Sequence, residues 1–512
     1  MGSWPDQPTS ARVSHHVRVV LLRLAGAGVV LEVGCLVIWA LAPQLTSDYS
    51  GDFNQRYLEH LGVTPHLLAL LPLLADVDTR AVALQLALLT MSVGYIAGLL
   101  VLNATDLPIS PARWLVAGTG LLAQATLATM PGFFSTDIFS YVMYGRIAAV
   151  HGDNPYVHPP STFPNDQFLT WVYPFWREQT SVYGPLWTDL SWCLSSITGA
   201  ISSLGQVLAY RAVLNCFELA NVGLMWWLLG RLQPRSDERL RAFALFAWNP
   251  LVVFELAGNV HNDAAMLTLL LAGLGLIFLG RYWVGWIIIA LGALIKFATG
   301  LPALLIATWW AAHHGRRYAF IALGLGLIVT GLLWRPWLEA TDPLSTLSGI
   351  VEGRLVINSA PDLVALTVAD QLAQRVDMDL ETAQAAVRFW ARLLIRFAFA
   401  IYFAWEIGRV SRKATLVEAI RASTRVLLAL PLLVLTWVWS WYFTWSVALA
   451  TLLGWRSSLT RLVVAYSLAV PFVVYAHQYW NELMPGQVLL VFAIGPPLAL
   501  LFVAGLPARH RS

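Results

Sequence analysis

The sequence predicts an all-α protein, a polytopic transmembrane helical bundle of about 14 spans, each needing about 20 apolar residues. Of its 512 residues 58% are hydrophobic and only 12% charged, with mean hydropathy +0.64. A soluble globular chain carries roughly 25% charged residues. Long apolar runs recur along the chain, and the basic residues collect in the short loops between them. The net charge of +3 is small and gives no reason to expect nucleic acid as a partner.

Taken in order, the spans fall at 18–42, 80–102, 113–130, 207–229, 242–257, 263–280, 318–336, 390–408, 462–477 and 487–506. Two longer stretches each read as a pair of short helices: 281–312, broken at Lys296, and 426–456, broken at "SWYFTW" (Ser440–Trp445). Residues 1–17 form a disordered cytoplasmic tail, and 18–512 a single transmembrane domain. Cys35, Cys193 and Cys216 are isolated, with no disulfide or metal-site spacing.

Arg and Lys in short loops orient a membrane protein. The loops 231–241, 313–317, 409–425 and 456–461 and the C-terminal tail are basic and should be cytoplasmic, as should both termini. This holds only if 184–205 does not span. That segment carries Asp189, several serines and two tryptophans, and reads as an amphipathic helix at the outer interface. The large extracytoplasmic loops are then 131–206 and 337–389.

On that topology the unusual polar residues share the outer side of the membrane: Asp137, the "YGP" turn at Tyr183–Pro185, the hairpin "ELAGNVHND" (Glu255–Asp263), Lys296, Arg335, Arg354 and His477. Charge beside lipid is expensive and calls for a partner or a function. Each residue has a structural reading: Asp137 as a helix cap, Glu255 and His261 as a pair across the hairpin, Lys296 snorkelling, Arg335 and Arg354 solvated in a loop, and "WYFTW" as an interfacial aromatic belt. Glu32, inside the first span, calls for a buried partner. Together, a carboxylate at a helix mouth, a His-Asn-Asp hairpin and a lone Lys suggest chemistry on an anionic, membrane-held substrate. The carboxylate would act as base and the cation would hold a phosphate.

The stretches "STDIFSYVMYGRIAAVHGDNPYV" (135–157), "SVYGPLW" (181–187), "WNPLVVFELAGNVHNDAAMLTLLL" (248–271) and "LIKFATGLP" (294–302) resemble the GT-C superfamily of integral-membrane glycosyltransferases. Within it the chain looks most like the polyprenyl-phosphate-mannose-dependent α-1,6-mannosyltransferases of bacterial lipoglycan synthesis. The resemblance implies a GT-C-type bundle with extracytoplasmic juxtamembrane helices. It implies a polyprenyl-phosphate-linked sugar donor, a glycolipid or glycan acceptor and inverting transfer, with Asp137 as the base. Lys296, Arg146 and Arg354 would compensate the phosphate, and His261 and Asp263 would hold hydroxyls or orient the base. Tyr141, Asn154, Tyr183 and Asn262 complete the substrate-binding candidates. One departure is that two spans precede the helix leading to Asp137, so the acidic loop 47–57 is a rival place for the base. No cofactor is certain, and a divalent cation is possible near Asp137 and Asp263, although no dense carboxylate cage is visible. The sugar, mannose by resemblance, and the acceptor are not fixed by the residues. A lipid-linked glycan polymerase or ligase, or a lipid or solute transporter, are the alternatives.

Overall fold

The computed structural model describes residues 10–46, 52–62, 76–104, 109–233, 235–338, 360–376, 378–480 and 495. The described elements are helices: α1 (Ser10–Leu45), α2 (Phe53–His60), α3 (Val77–Ala104), α4 (Ile109–Ala128), α5 (Asp137–Ala149), α6 (Pro185–Thr198), α7 (Ser203–Leu232), α8 (Ser236–Ala247), α9 (Asp263–Phe278), α10 (Tyr282–Ala293), α11 (Gly300–His314), α12 (Arg316–Trp334), α13 (Ala360–Val376), α14 (Leu380–Lys413), α15 (Leu416–Leu433), α16 (Thr444–Leu453) and α17 (Ser458–Tyr479). Five of them are long and apolar enough to cross a membrane by length and composition, or six if the bent pair Ser236–Ala247 and Pro250–Gly258 counts as one span. The expected span 487–506 and Arg354 lie outside the described residues. Within the expected tail 1–17, residues 10–17 are helical as the start of α1, and residues 1–9 lie outside the described residues.

α1 packs along α3 and against α4. Leu24, Leu31 and Ile38 of α1 and Leu84, Leu88 and Met91 of α3 are buried in one continuous core. Glu32 finds its partner on α4, where the Thr126 hydroxyl donates to its carboxylate at 2.5 Å.

Both stretches expected to break do so, the first at Lys296 as expected, the second from Val434, ahead of the expected Ser440–Trp445. α10 stops at Ala293, a 3-10 turn covers Phe297–Thr299, and α11 restarts at Gly300. α15 ends at Leu433, and Ser440–Phe443 forms a second 3-10 turn ahead of α16. The span expected at 242–257 is not one straight helix. Pro250 has no backbone N–H to continue the ladder. Asn249 instead accepts from the Leu251 and Val252 amides at 3.0 and 3.4 Å and starts a new helix bent by 42°. That segment then widens into a π-turn, Val253–Gly258, a form that recurs at functional sites. At its exit Val260, buried and β-branched, takes φ +52, a conformation such residues rarely adopt.

α5 has 13 residues, and from Ile138 to Ala148 it is buried all round. A helix of that length spans about 20 Å at 1.5 Å per residue, short of the roughly 30 Å apolar layer. It is a core helix lying against α6. α6 has 14 residues and is likewise too short to span, which agrees with its expected interfacial role. The close fit of α5 on its neighbours needs Gly145, where a Cβ would sit 2.4 Å from the Tyr210 hydroxyl and 2.5 Å from the Ser191 carbonyl.

The "YGP" turn and the "LIKF" break, far apart in sequence, are stitched together by backbone. Gly184 N–H donates to the Ile295 carbonyl at 3.0 Å and Leu186 N–H to that of Leu294 at 2.9 Å. A Cβ on Gly184 would stand 2.3 Å from the Leu294 oxygen. Gly184→Ala should therefore destabilise the protein by about 1–3 kcal/mol, the usual range for overpacking, seen as an earlier thermal transition of the detergent-solubilised protein. Gly118→Ala, with nothing within 4 Å, should leave the transition unchanged or raise it.

Candidate active site

Asp137 opens α5, with its side chain 13% exposed. One turn on, the Tyr141 hydroxyl accepts from the Asn262 amide N–H at 3.2 Å and has two acceptors within reach of its one proton, Asn262 Oδ1 at 3.2 Å and Asp137 Oδ2 at 3.4 Å. The loop before α5 is tied to the π-turn hairpin, since Phe134 N–H donates to Asn259 Oδ1 at 2.8 Å. This bond joins the sequence motif around Asp137 to the one around His261.

His261 stands between two carboxylates. Its Nδ1 is 3.5 Å from Asp137 Oδ2 and its Nε2 is 3.4 Å from Glu255 Oε2. These are ion-pair separations, longer than well-formed hydrogen bonds. The ring stacks on Trp441 with centroids 3.8 Å apart. Glu255 is fully buried and accepts from the Tyr475 hydroxyl at 3.1 Å, the Asn259 amide at 2.9 Å and the Ser440 hydroxyl. Beside this chain the buried Asp263 carboxylate takes the Lys296 ammonium on Oδ2 and the Trp445 indole N–H on Oδ1. Lys296 also lies over the Tyr442 ring, 5.6 Å from its centroid.

The charges set each other. Burial alone would raise the Asp137 carboxyl. The hydrogen bond and charge of His261, then Lys296, outweigh it and hold the group below its ordinary 3.8. Burial would lower His261, but Asp137 and Glu255 on either side lift it above its ordinary 6.5. The pair therefore favours an ionised Asp137 beside a protonated His261, with a second ion pair next to it.

The structure brings together Asp137, Tyr141, His261, Asn262, Asp263 and Lys296 from α5, the hairpin and the break before α11. Tyr183 joins them through its ring, 5.0 Å from that of Tyr141. Arg146 is not brought in. It lies nine residues along α5 from Asp137, about 14 Å at the helical rise, with its guanidinium on Asp166 at 2.9–3.1 Å and on Gln206 at 3.0 Å. Asn154 braces the Trp337 carbonyl at 2.7 Å and its own loop at Tyr156 N. In the rival loop, Asp52 is engaged by Arg56 at 2.7 Å and the Trp171 indole at 2.6 Å. Sequence reasoning gave Glu255 only a structural pairing and left out Asn259, Ser440, Trp445 and Tyr475. It also read "WYFTW" as an interfacial belt. Instead Trp441 and Trp445 are buried against the hairpin, and the signal was the polar Ser440 and Thr444 interleaved in that run. Among the described residues no group of three or more His, Cys, Asp or Glu is arranged to hold a metal ion.

The sign of the pH dependence follows from the two shifts. A raised His261 contributes stability that is complete below 6.5 and is lost as pH rises through its elevated value. A lowered Asp137 contributes stability present above 3.8 and lost as pH falls through its depressed value. The thermal transition of the wild type should fall as pH is raised from about 6 to about 9, and His261→Gln should flatten that slope.

With this geometry in hand, comparison with known proteins is informative. Residues 60–313 match the family described as alpha-(1->6)-mannopyranosyltransferase, N-terminal domain. The chain is 25% identical to alpha-(1->6)-mannopyranosyltransferase A of Mycobacterium tuberculosis over 342 residues, 65% of this chain and 64% of that one. It is 28% identical to alpha-(1->6)-mannopyranosyltransferase B of Corynebacterium glutamicum over 403 residues, 69% of this chain and 61% of that one. To enzyme A of the same organism it is 30% identical over 180 residues, 35% of each chain. In each case the aligned part spans less than two thirds of the relative's own length. The matched segment contains Asp137, the "YGP" turn, the His261 hairpin and Lys296. Over residues 60–313 the chain is similar to the alpha-(1->6)-mannopyranosyltransferase family.

Proposed function

We propose that this protein is an inverting mannosyltransferase that moves mannose from a polyprenyl-phosphate donor to a hydroxyl of a glycolipid or glycan acceptor. The observation that carries the reading is the Asp137 carboxylate at the head of α5, flanked by His261 and near Lys296, within the segment the family shares. We take the bundle to cross the bilayer about fourteen times, pairing short apolar helices across their breaks. Both termini are then cytoplasmic and the site extracytoplasmic, in keeping with the basic loops.

Inversion by single displacement needs one base and one leaving group. The acceptor oxygen attacks the anomeric carbon as its proton passes to Asp137. The bond from that carbon to the phosphate oxygen breaks, and polyprenyl phosphate departs as an anion. A phosphate is a good leaving group, so a base held below the ordinary carboxylate range suffices and no strong general acid is needed. Lys296 faces the departing charge, and Asp263, itself held by the Trp445 indole N–H, keeps that ammonium in place. A β-linked donor then yields an α-mannoside.

Transfer by purified protein from polyprenyl-phosphate mannose to a membrane glycolipid extract tests the reading. Asp137→Asn should lose about 10²–10⁴-fold in rate, the usual weight of a positioned base, while keeping its fold by thermal melting. Equal transfer by both proteins would move the base elsewhere.

Lys296→Met strands the buried Asp263 carboxylate and should destabilise by about 3–5 kcal/mol. The double variant Lys296→Met/Asp263→Asn should recover most of that stability without recovering transfer. Recovery of both would remove Lys296 from the chemistry.

A further inference from the structure

Besides the two ring nitrogens of His261, which face carboxylates at 3.5 and 3.4 Å, three buried N–H donors around the Asp137–His261 pair have no hydrogen-bond partner among the described residues: the indole Nε1 of Trp441 and of Trp187, and Nδ2 of Asn262. All three residues are buried. Native proteins leave few buried donors unmade, because each forfeits its bonds to water. Other indoles in this chain show the contrast. Trp248 donates to the Val116 carbonyl at 2.7 Å, Trp286 to that of Ala303 at 2.9 Å, Trp171 to Asp52 and Trp445 to Asp263. Indoles left unpartnered are thus not a general habit of this fold, and two of them gather at one place.

Each of the three is one contact removed from the reacting groups. Trp441 lies on the His261 ring. Trp187 meets the Tyr141 ring edge-on at 5.0 Å. Asn262 engages Tyr141 through its Oδ1, which leaves its NH2 free. An indole nitrogen donates and never accepts, so the complement to this set is a ligand rich in acceptor oxygens. Trp441 is not a free stacking platform, because its ring is already stacked with His261 and, at 5.1 Å and 7°, with Trp439. What it still offers is its N–H.

We propose that Trp441, with Trp187 and Asn262, reads the hydroxyl oxygens of the transferred sugar, and that Trp441 determines specificity at one ring hydroxyl. This rests on the mannosyl-transfer reading above and names residues that read the sugar. Removing only the N–H isolates the role. Trp441→Phe keeps an aromatic ring against His261 and deletes one donor with no partner in the fold, a gain that offsets part of the cavity the smaller ring leaves, so its thermal transition should fall little.

The test compares kcat/KM for wild type and Trp441→Phe on polyprenyl-phosphate mannose and on its 2-, 3-, 4- and 6-deoxy forms. With the parent donor the variant should lose about 2- to 12-fold, the range for one neutral hydrogen bond. One deoxy donor should cost the wild type a similar factor and cost the variant nothing further. Parallel penalties for every deoxy donor in both proteins would overturn the sugar assignment. So would weaker inhibition of the variant by polyprenyl phosphate alone, which would place the phosphate oxygens at Trp441. A fall in the thermal transition with unchanged kcat/KM would make the residue structural. If Trp441→Phe does not fold, Trp187→Phe submits the cradle to the same comparison. Absence of mannose transfer by the wild type would instead sink the functional reading itself, a result distinguishable from failure of the variant comparison.

Discussion

A carboxylate with no water around it must be answered by donors, and the buried Asp263 is where this bundle meets that requirement. Lys296 reaches it from the break between α10 and α11, and the Trp445 indole from the first turn of α16. Three elements distant in sequence are thereby held at the head of α9. The same break receives the "YGP" backbone, so the ion pair also fixes the turn that leads into α6. Removing either charge would leave the other buried and uncompensated, which penalises every arrangement of these segments except this one.

The second chain of charges does different work. Glu255 is so fully supplied with donors that it stays an acceptor, and it stands behind His261 as Asp137 stands in front. An imidazole in that position holds its proton more tightly than a free one, and the proton it keeps beside Asp137 trades that carboxylate's proton affinity for its ionisation. That trade suits a reaction in which the leaving group needs little help.

Much of this was legible in the sequence. The helix breaks at Lys296 and "SWYFTW" were readable because a polar or aromatic cluster interrupts an otherwise uniform apolar run. That 184–205 is not a spanning helix was readable because its serines and Asp189 do not suit lipid on all sides; its helix runs only from Pro185 to Thr198. What could not be read was which polar residue answers which. Arg146 looked like a phosphate ligand because Asp166, its actual partner, sits twenty residues away in a stretch with no periodicity to anchor it. The aromatics of "WYFTW" looked like an interfacial belt because composition is the same for a ring facing headgroups and a ring packed on a histidine. The bend at Asn249 was hidden because Pro250 falls inside a continuous apolar pattern, and hydropathy does not register a missing N–H.

The backbone at Val260 carries a further consequence. A β-branched residue at φ +52 is held there by its surroundings at a cost of order 1–3 kcal/mol. It lies directly between the π-turn that presents Glu255 and the histidine that faces Asp137. The imidazole is therefore aimed by a backbone shape that folding itself imposes, and little rearrangement is left for the moment of encounter. A distant change that loosened the π-turn would let this residue relax toward an ordinary conformation and swing the ring off its line. Every side chain of the site would then still be present but out of line, so the precision of this site is a property of the whole hairpin and of the helices packed on it.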